Sequence, residues 1–325
     1  MMETKTKISV FSVLTSILAL FLFAIFTPTV SAPTDAEKSF PEPKVLGAET
    51  EASKELPIFA ELKPQQFIAQ SPVDSTNVIA RSFFVYDIET GQILAEKNAD
   101  TEVSIASLTK LMTALLTYEN FEPEDLITVT SKDLLNITPA LHLRVGDTVK
   151  VDDVVKAMLI GSANDAASFL GRALTEKTGV PIADLMNQKA GALGMQNSQF
   201  QNPIGFDSIR QFSTAYDVHI LANAVLRYQD FSDIGHAAQY TFSGDFGNTY
   251  RIRATNKLAQ RDPSITAIKT GYTDGAQGAM VTKFEHQGHS VAVIVIGSGN
   301  REGDSLKLKN AIEQSYALTS TELIK

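Results

Sequence analysis

Three short stretches hold residue types suited to acyl transfer: Ser107-Leu108-Thr109-Lys110, Ser162-Ala163-Asn164 and Lys269-Thr270-Gly271. A serine hydroxyl is a weak nucleophile and needs an adjacent base. Residues i and i+3 of a helix share a face, so Lys110 can reach the Ser107 hydroxyl if the segment is helical. A lysine acts as a base only when neutral, which requires burial or a nearby cation to depress its pKa. Leu108, Leu111, Met112 and Leu115 supply apolar surroundings. At the first turn, the Ser107 backbone N–H also stands at the positive end of the helix, which suits an oxyanion. Ser162 can pass a proton between Lys110 and a leaving group, and Asn164 can bond the lysine and a substrate amide. Lys269 adds positive charge, Thr270 a hydroxyl for a carboxylate, and Gly271 a place where backbone can approach a ligand closely.

Taken singly, these motifs carry little. S-x-N occurs also at Ser75-Thr76-Asn77 and Ser298-Gly299-Asn300, and K-T-G also at Lys177-Thr178-Gly179, whereas S-x-x-K occurs once. An isolated S-x-x-K reads as a helix cap beside a surface lysine. Context separates the copies. Ser75 stands in a Pro-rich stretch before the nucleophile, and Lys177-Thr178-Gly179 reads as a helix end, with Gly179 as the stop and Pro181 beyond it. Lys269 follows Ile265, Ala267 and Ile268, a strand pattern. The order Ser107, Ser162, Lys269 then leaves gaps of 55 and 107 residues.

The elements that must position these residues follow from patterning. Phe83–Tyr86 and Ile93–Ala95 flank Glu89-Thr90-Gly91-Gln92 as a hairpin. Leu108–Tyr118 is a strongly apolar helix. Asp152 can cap a helix through Val154, Val155, Met158 and Leu159. Another helix covers 182–193 and stops at Gly194, and Ser213 or Thr214 can cap one through Leu226. Strands are expected at 239–242, 250–254, 267–269, 279–284 and 290–296, the last two joined by Gln287-Gly288, with a final helix over about 305–317. Neighbouring strands on short turns make an antiparallel sheet, and helices at both ends of the segment cover it: an α+β fold.

The flanks extend the match. Together with S-x-x-K, S-x-N and K-T-G, a set found in penicillin-binding proteins and class A β-lactamases, they include Gly91–Asp100, Ala106–Ala114, Leu143–Asp147, Met158–Ala167, Leu193–Met195, Ser213–Ala215 and Ile268–Thr273. Over about residues 80–318 the chain resembles the D-alanyl-D-alanine carboxypeptidase family (peptidase S11, the low-molecular-mass penicillin-binding proteins). The resemblance implies a β-lactamase/transpeptidase-like fold, an antiparallel sheet covered by helices with a helical subdomain that carries S-x-N. It also implies acylation of Ser107 by peptidoglycan stem peptides ending in D-Ala-D-Ala, release of D-Ala and hydrolysis. β-Lactams would act as inhibitors, and the N–H groups of Ser107 and Tyr272 would form the oxyanion hole. No cofactor is implied. Members of the family place an arginine past the last strand to hold the substrate carboxylate. Here Asp304 falls near that place and Arg301 is the nearest candidate. The alternatives are a D,D-endopeptidase acting on cross-links, a class A-like β-lactamase and a non-catalytic wall-binding protein. For the β-lactamase, an E-x-x-L-N pattern would be needed, and Asp184-Leu185-Met186-Asn187 is the nearest stretch, with the wrong spacing. Intact Ser107, Lys110, Ser162, Asn164 and Lys269 argue against the wall-binding protein.

Composition bounds the rest. The chain has 325 residues, 44% apolar and 20% charged, enough for a sizeable core. A net charge of −9 argues against a nucleic-acid partner. There is no cysteine, which removes thiol nucleophiles, thiolate metal sites and disulfides. The five histidines, at 142, 219, 236, 286 and 289, form no H-E-x-x-H or H-x-H pattern, so no metal site is expected. Lys5 and Lys7 precede an uncharged run from Ile8 to Phe26, and Val30-Ser31-Ala32 suits a signal-peptide cleavage site. Residues 1–32 are therefore expected to be a cleaved signal or an N-terminal membrane anchor, which places the body of the protein outside the cytoplasm. Since the chain ends soon after its last helix, any anchor is expected in this run. Residues 33–75, punctuated by six prolines, read as a flexible linker, and 76–325 as the catalytic domain.

Overall fold

The structure, a computed structural model, describes residues 65–318 apart from 136 and 139. The expected signal or anchor at 1–32 and most of the expected linker lie outside the described residues. Among the described residues no helix is long and apolar enough to cross a membrane.

The strands are β1 (Phe67–Ala69), β2 (Ser82–Asp87), β3 (Ile93–Lys97), β4 (Leu126–Thr128), β5 (Thr148–Lys150), β6 (Gln239–Ser243), β7 (Thr249–Arg253), β8 (Ile265–Thr273), β9 (Gln277–His286), β10 (His289–Ser298) and β11 (Tyr316–Leu318). The helices are α1 (Lys110–Asn120), α2 (Val151–Gly161), α3 (Asn164–Thr178), α4 (Ile182–Leu193), α5 (Ala215–Leu226), the single turns α6 (Phe231–Ile234) and α7 (Leu258–Arg261), and α8 (Arg301–Ser315).

Five strands form one antiparallel sheet in the order β3-β2-β10-β9-β8. Strand residues alternate between faces, so a sheet covered on both sides must be apolar at every position. This holds for the middle of β2 and of β10. Phe84, Tyr86, Ala292, Ile294 and Ile296 join the core shared with α1–α5. Phe83, Val85, Val291, Val293 and Val295 join a second core closed by Leu308 and Ile312 of α8. The α+β architecture, with a helical subdomain on one face, is as expected from the sequence.

Several local readings need correction. The segment 108–118 is not one helix: a 3-10 turn over Ala106–Thr109 precedes α1. Asp152 does not cap α2, which begins one residue earlier. It sits in the first turn and pairs with Lys156 one turn on at 2.6 Å. The last helix starts at Arg301, because the Asn300 side chain accepts from the Gly303 N–H at 3.0 Å and so caps it. The end of the expected linker is not loose. Phe67 is only 3% exposed, stacks on the His286 ring at 5.4 Å and meets Tyr316 edge-on, while β1 pairs with β11. A single aromatic with a sheet edge to pair with is enough to fasten a polar, Pro-rich stretch.

Candidate active site

The nucleophile turn is built by close packing of backbone. Ala106 has φ +48°, an uncommon conformation for a residue with a side chain, and it turns the chain into the 3-10 segment that carries Ser107. Two glycines press on this turn. A Cβ on Gly205 would lie 2.1 Å from the Ala106 carbonyl oxygen, and Gly205 also has φ +98°. A Cβ on Gly271 would lie 2.9 Å from the Ser107 nitrogen. Gly271 is therefore needed for β8 to approach the nucleophile turn. Tyr272, the next residue of β8, is 61% exposed.

Lys110 opens α1, a helix buried along most of its length. The side chain is fully buried and donates to Ser107 Oγ at 2.8 Å, Asn164 Oδ1 at 3.0 Å and the Ile204 carbonyl at 2.7 Å. Burial lowers its pKa to about 7, against an opposing pull from Asp165. A neutral amine has two N–H bonds and one lone pair. With Asn164 and Ile204 accepting the two N–H bonds, the lone pair is left for the Ser107 hydroxyl proton. The Ile204 carbonyl could not be read from the sequence, since any residue has one. The signal lies in its loop. The Asn202 side chain accepts from the N–H groups of Ile204, Gly205 and Phe206, and Thr113 of α1 donates to the Pro203 carbonyl.

Ser162 ends α2 in the left-handed region, with φ +57°, and Asn164 begins α3 two residues later. The break puts the motif at the junction of two helices. Asp165, directly behind it, is buried and accepts from the backbone N–H groups of Ala140, Leu141 and Leu143, which ties the loop over this junction. Lys269 of β8 is buried and donates to Ser162 Oγ at 2.8 Å and to the Thr270 carbonyl at 2.7 Å. Burial, then the charges of Lys110 and Arg301, hold its pKa well below the usual lysine range.

The remaining expected residues divide. Thr270 is buried, and its hydroxyl lies 2.6 Å from Thr255 Oγ1. Arg301 donates to the Gly271 carbonyl at 2.6 Å, one residue from Tyr272. With Tyr272, Gly278, Ser298 and Asn300 it lines a cleft of about 280 Å³. Asp304 is buried, accepting from Ser298 Oγ and the Ile79 N–H, and so has a structural part. Sequence reading missed Ile204, Thr255 and Asn202.

All of this geometry except Arg301 and Asp304 sits inside the region, residues 66–300, that matches the family model described as D-alanyl-D-alanine carboxypeptidase. The chain belongs to the D-alanyl-D-alanine carboxypeptidase family. It is 30% identical to the D-alanyl-D-alanine carboxypeptidase DacC of Escherichia coli, over 72% of this chain and 60% of that protein. The chain thus spans less than two thirds of that relative's length. It is 31% identical to a D-alanyl-D-alanine endopeptidase of Haemophilus influenzae, over 68% of this chain and 76% of that one. The Streptomyces K15 DD-transpeptidase superposes with a TM-score of 0.66 at 25% identity, covering 72% of this chain and 97% of that structure. These similarities agree with the expected family and fold.

Proposed function

We propose that the protein is a serine-type D-alanyl-D-alanine carboxypeptidase that trims peptidoglycan stem peptides through an acyl-enzyme on Ser107. The observation that carries this reading is the cage around Lys110: a buried lysine with a pKa near 7, its two N–H acceptors in place and the Ser107 hydroxyl at 2.8 Å. A general base is most effective with a pKa near the working pH.

In this reading Lys110 takes the Ser107 proton as Oγ attacks the carbonyl carbon of the penultimate D-Ala. The oxyanion forms against the N–H groups of Ser107 and Tyr272. The peptide bond breaks as the departing D-Ala amine receives a proton through Ser162, which Lys269 holds in place. Water then attacks the acyl-enzyme with Lys110 again as base, which frees the shortened peptide and restores the Ser107 hydroxyl. Asn164 orients Lys110 and bonds the substrate amide. Arg301, in the cleft beside Tyr272, holds the terminal carboxylate with Lys269. Thr270 supports this, with its hydroxyl engaged by Thr255. The reaction needs no cofactor or metal.

The substrate lies outside the cytoplasm, and the apolar run Ile8–Phe26 behind Lys5 and Lys7 is the export signal or membrane anchor that delivers the domain there. β-Lactams acylate the same serine. The test is incubation with a pentapeptide ending in D-Ala-D-Ala, with mass detection of free D-Ala, for the wild-type chain and Ser107→Ala. Release by the wild type alone is expected. Release by Ser107→Ala would move the nucleophile elsewhere, and cleavage of cross-linked dimers in preference to pentapeptide would favour the endopeptidase.

A further inference from the structure

Ser162 and Lys269 meet across a seam between two elements, the end of α2 and the strand β8. Something must hold those elements in register for a 2.8 Å contact to persist. Thr255, in the connection between β7 and α7, touches both sides. Its backbone N–H donates to the Ile160 carbonyl at 3.1 Å. Its hydroxyl lies 3.3 Å from the same carbonyl and 2.6 Å from Thr270 Oγ1. A carbonyl can only accept, so the Thr255 hydroxyl donates to Ile160 and the Thr270 hydroxyl donates to Thr255. The result is a one-way chain, Thr270 to Thr255 to Ile160. One end is the neighbour of Lys269 and the other lies two residues before Ser162.

The next residue completes the picture. Asn256 is only 6% exposed. Its Oδ1 accepts from the Leu258 and Ala259 N–H groups at 2.8 and 3.3 Å, which fixes the orientation of the amide. Its Nδ2 then has no hydrogen-bond partner among the described residues. A buried donor left unpaired is costly. Asn256 lines a small cavity together with Thr255, Lys269 and Thr270, and with Leu159 and Phe231. The cavity measures about 20 Å³, room for one water and no larger ligand.

We propose that Thr255 and Asn256 are positioning residues for the Ser162–Lys269 pair, and that the cavity lined by Lys269 and Thr270 binds a single water held by Asn256 Nδ2. The water supplies the acceptor that the amide lacks and joins it to the polar wall formed by Thr255 and Thr270. Neither residue touches substrate. They act by keeping the two halves of the cleft in register.

The kinetic part rests on the proposed function, while the water site does not. Penicillin acylation of Ser107 is measured as a saturation curve, which separates binding from the acylation step. Thr255→Val keeps the shape and removes the hydroxyl. The acylation step is expected to slow about tenfold with the binding constant unchanged, and Thr255→Ser is expected to recover to within about twofold of the wild type. A merely structural threonine would instead lower the melting temperature and leave the acylation step of the folded protein intact. That result, or a serine variant as slow as the valine, overturns the positioning role. A high-resolution crystal structure of the wild-type domain is expected to show one ordered water within hydrogen-bond distance of Asn256 Nδ2. A dry cavity there overturns the water site. Absence of any acylation in the wild type would sink the proposed function, and the crystal structure would still decide on the water site.

Discussion

Lys110 has three acceptors around it and, when neutral, two N–H bonds to give. Its lowered pKa has a consequence for rate and one for stability. Above about pH 7 the amine is neutral and can take the Ser107 proton, so acylation by penicillin should rise with pH and level off above that point. A stopped-flow series from pH 5 to 9 that shows no rise would contradict Lys110 as base. The stability consequence has the opposite sign to a salt bridge. The unfolded chain keeps this lysine protonated up to its ordinary pKa, so below about pH 7 the native state must bury a charge. Lys110→Met removes that cost. It should abolish acylation and raise the melting temperature at pH 6, by about 2–4 °C for each kcal/mol regained. An inactive variant that melts lower would mean that the cage compensates the charge fully. Lys269→Met should differ. It removes a neighbouring cation, so the Lys110 pKa climbs and the rise in acylation rate moves to higher pH. An unmoved profile with weaker substrate binding would show that Lys269 is neutral in the resting enzyme and does not tune the base. At this scale the sequence was informative wherever function needs a side chain: Ser107, Lys110, Ser162, Asn164 and Lys269 meet as their order suggested. It was silent on the Ile204 carbonyl, because a backbone acceptor has no residue type. It was also silent on the partner of the Thr270 hydroxyl, because that partner, Thr255, stands fifteen residues away.

The elements show the same division. Strands of the central sheet were legible because burial on both faces demands continuous apolar runs, and the hairpin β9–β10 because Gln287 and Gly288 both take positive φ. Helix ends were legible where glycine stops them, at Gly179 and Gly194, both left-handed. The short strands β1, β4, β5 and β11 were not, since three residues carry no period. Yet β1 matters to the domain's margin. Phe67 packs between His286 and Tyr316 while its strand closes on β11. Phe67→Ala should therefore cost about 3 kcal/mol, the low end for a buried phenylalanine on a small two-stranded sheet. A domain begun at residue 76 should melt lower than one begun at 65 and keep its penicillin labelling if it folds. Equal melting of the two would return residues 65–75 to the linker. The nucleophile turn is less forgiving. Gly205→Ala places a methyl 2.1 Å from the Ala106 carbonyl oxygen at a positive φ. The turn must shift, and labelling of Ser107 should fall by at least the order of magnitude that a displacement near 1 Å costs.

For the whole molecule, the test is how a complete cycle ends. A stem peptide loses D-Ala, which diffuses away and opens a path for water to the acyl-enzyme. A penicillin does not: its ring opens, but the leaving amine stays tethered to the acyl group and occupies that path. Escape then requires a second base, a carboxylate free to activate water from another side. Of the acids beside the site residues, Glu302 lines the Arg301 cleft and meets Arg261 at 3.4 Å, and three others are committed elsewhere. Asp165 spends both oxygens on the backbone N–H groups of Ala140, Leu141 and Leu143. Asp207 accepts from Thr273 and the Gly275 N–H, where it ties the 202–211 loop to the end of β8. Asp304 is held by Ser298 and Ile79. Each is a structural fastening, and releasing one to serve as a base would loosen the loop or helix it secures. Penicillin should accordingly acylate Ser107 to completion and stay there through many turnovers' worth of peptide hydrolysis. The measurement is intact-protein mass after stoichiometric penicillin, followed over time beside a pentapeptide turnover assay. A persistent mass increase of one penicillin, absent in Ser107→Ala, is the expected result. Rapid return to the unmodified mass with continued penicillin turnover would make the protein a β-lactamase, and would require Glu302 to activate water or one of the fastened carboxylates to swing free.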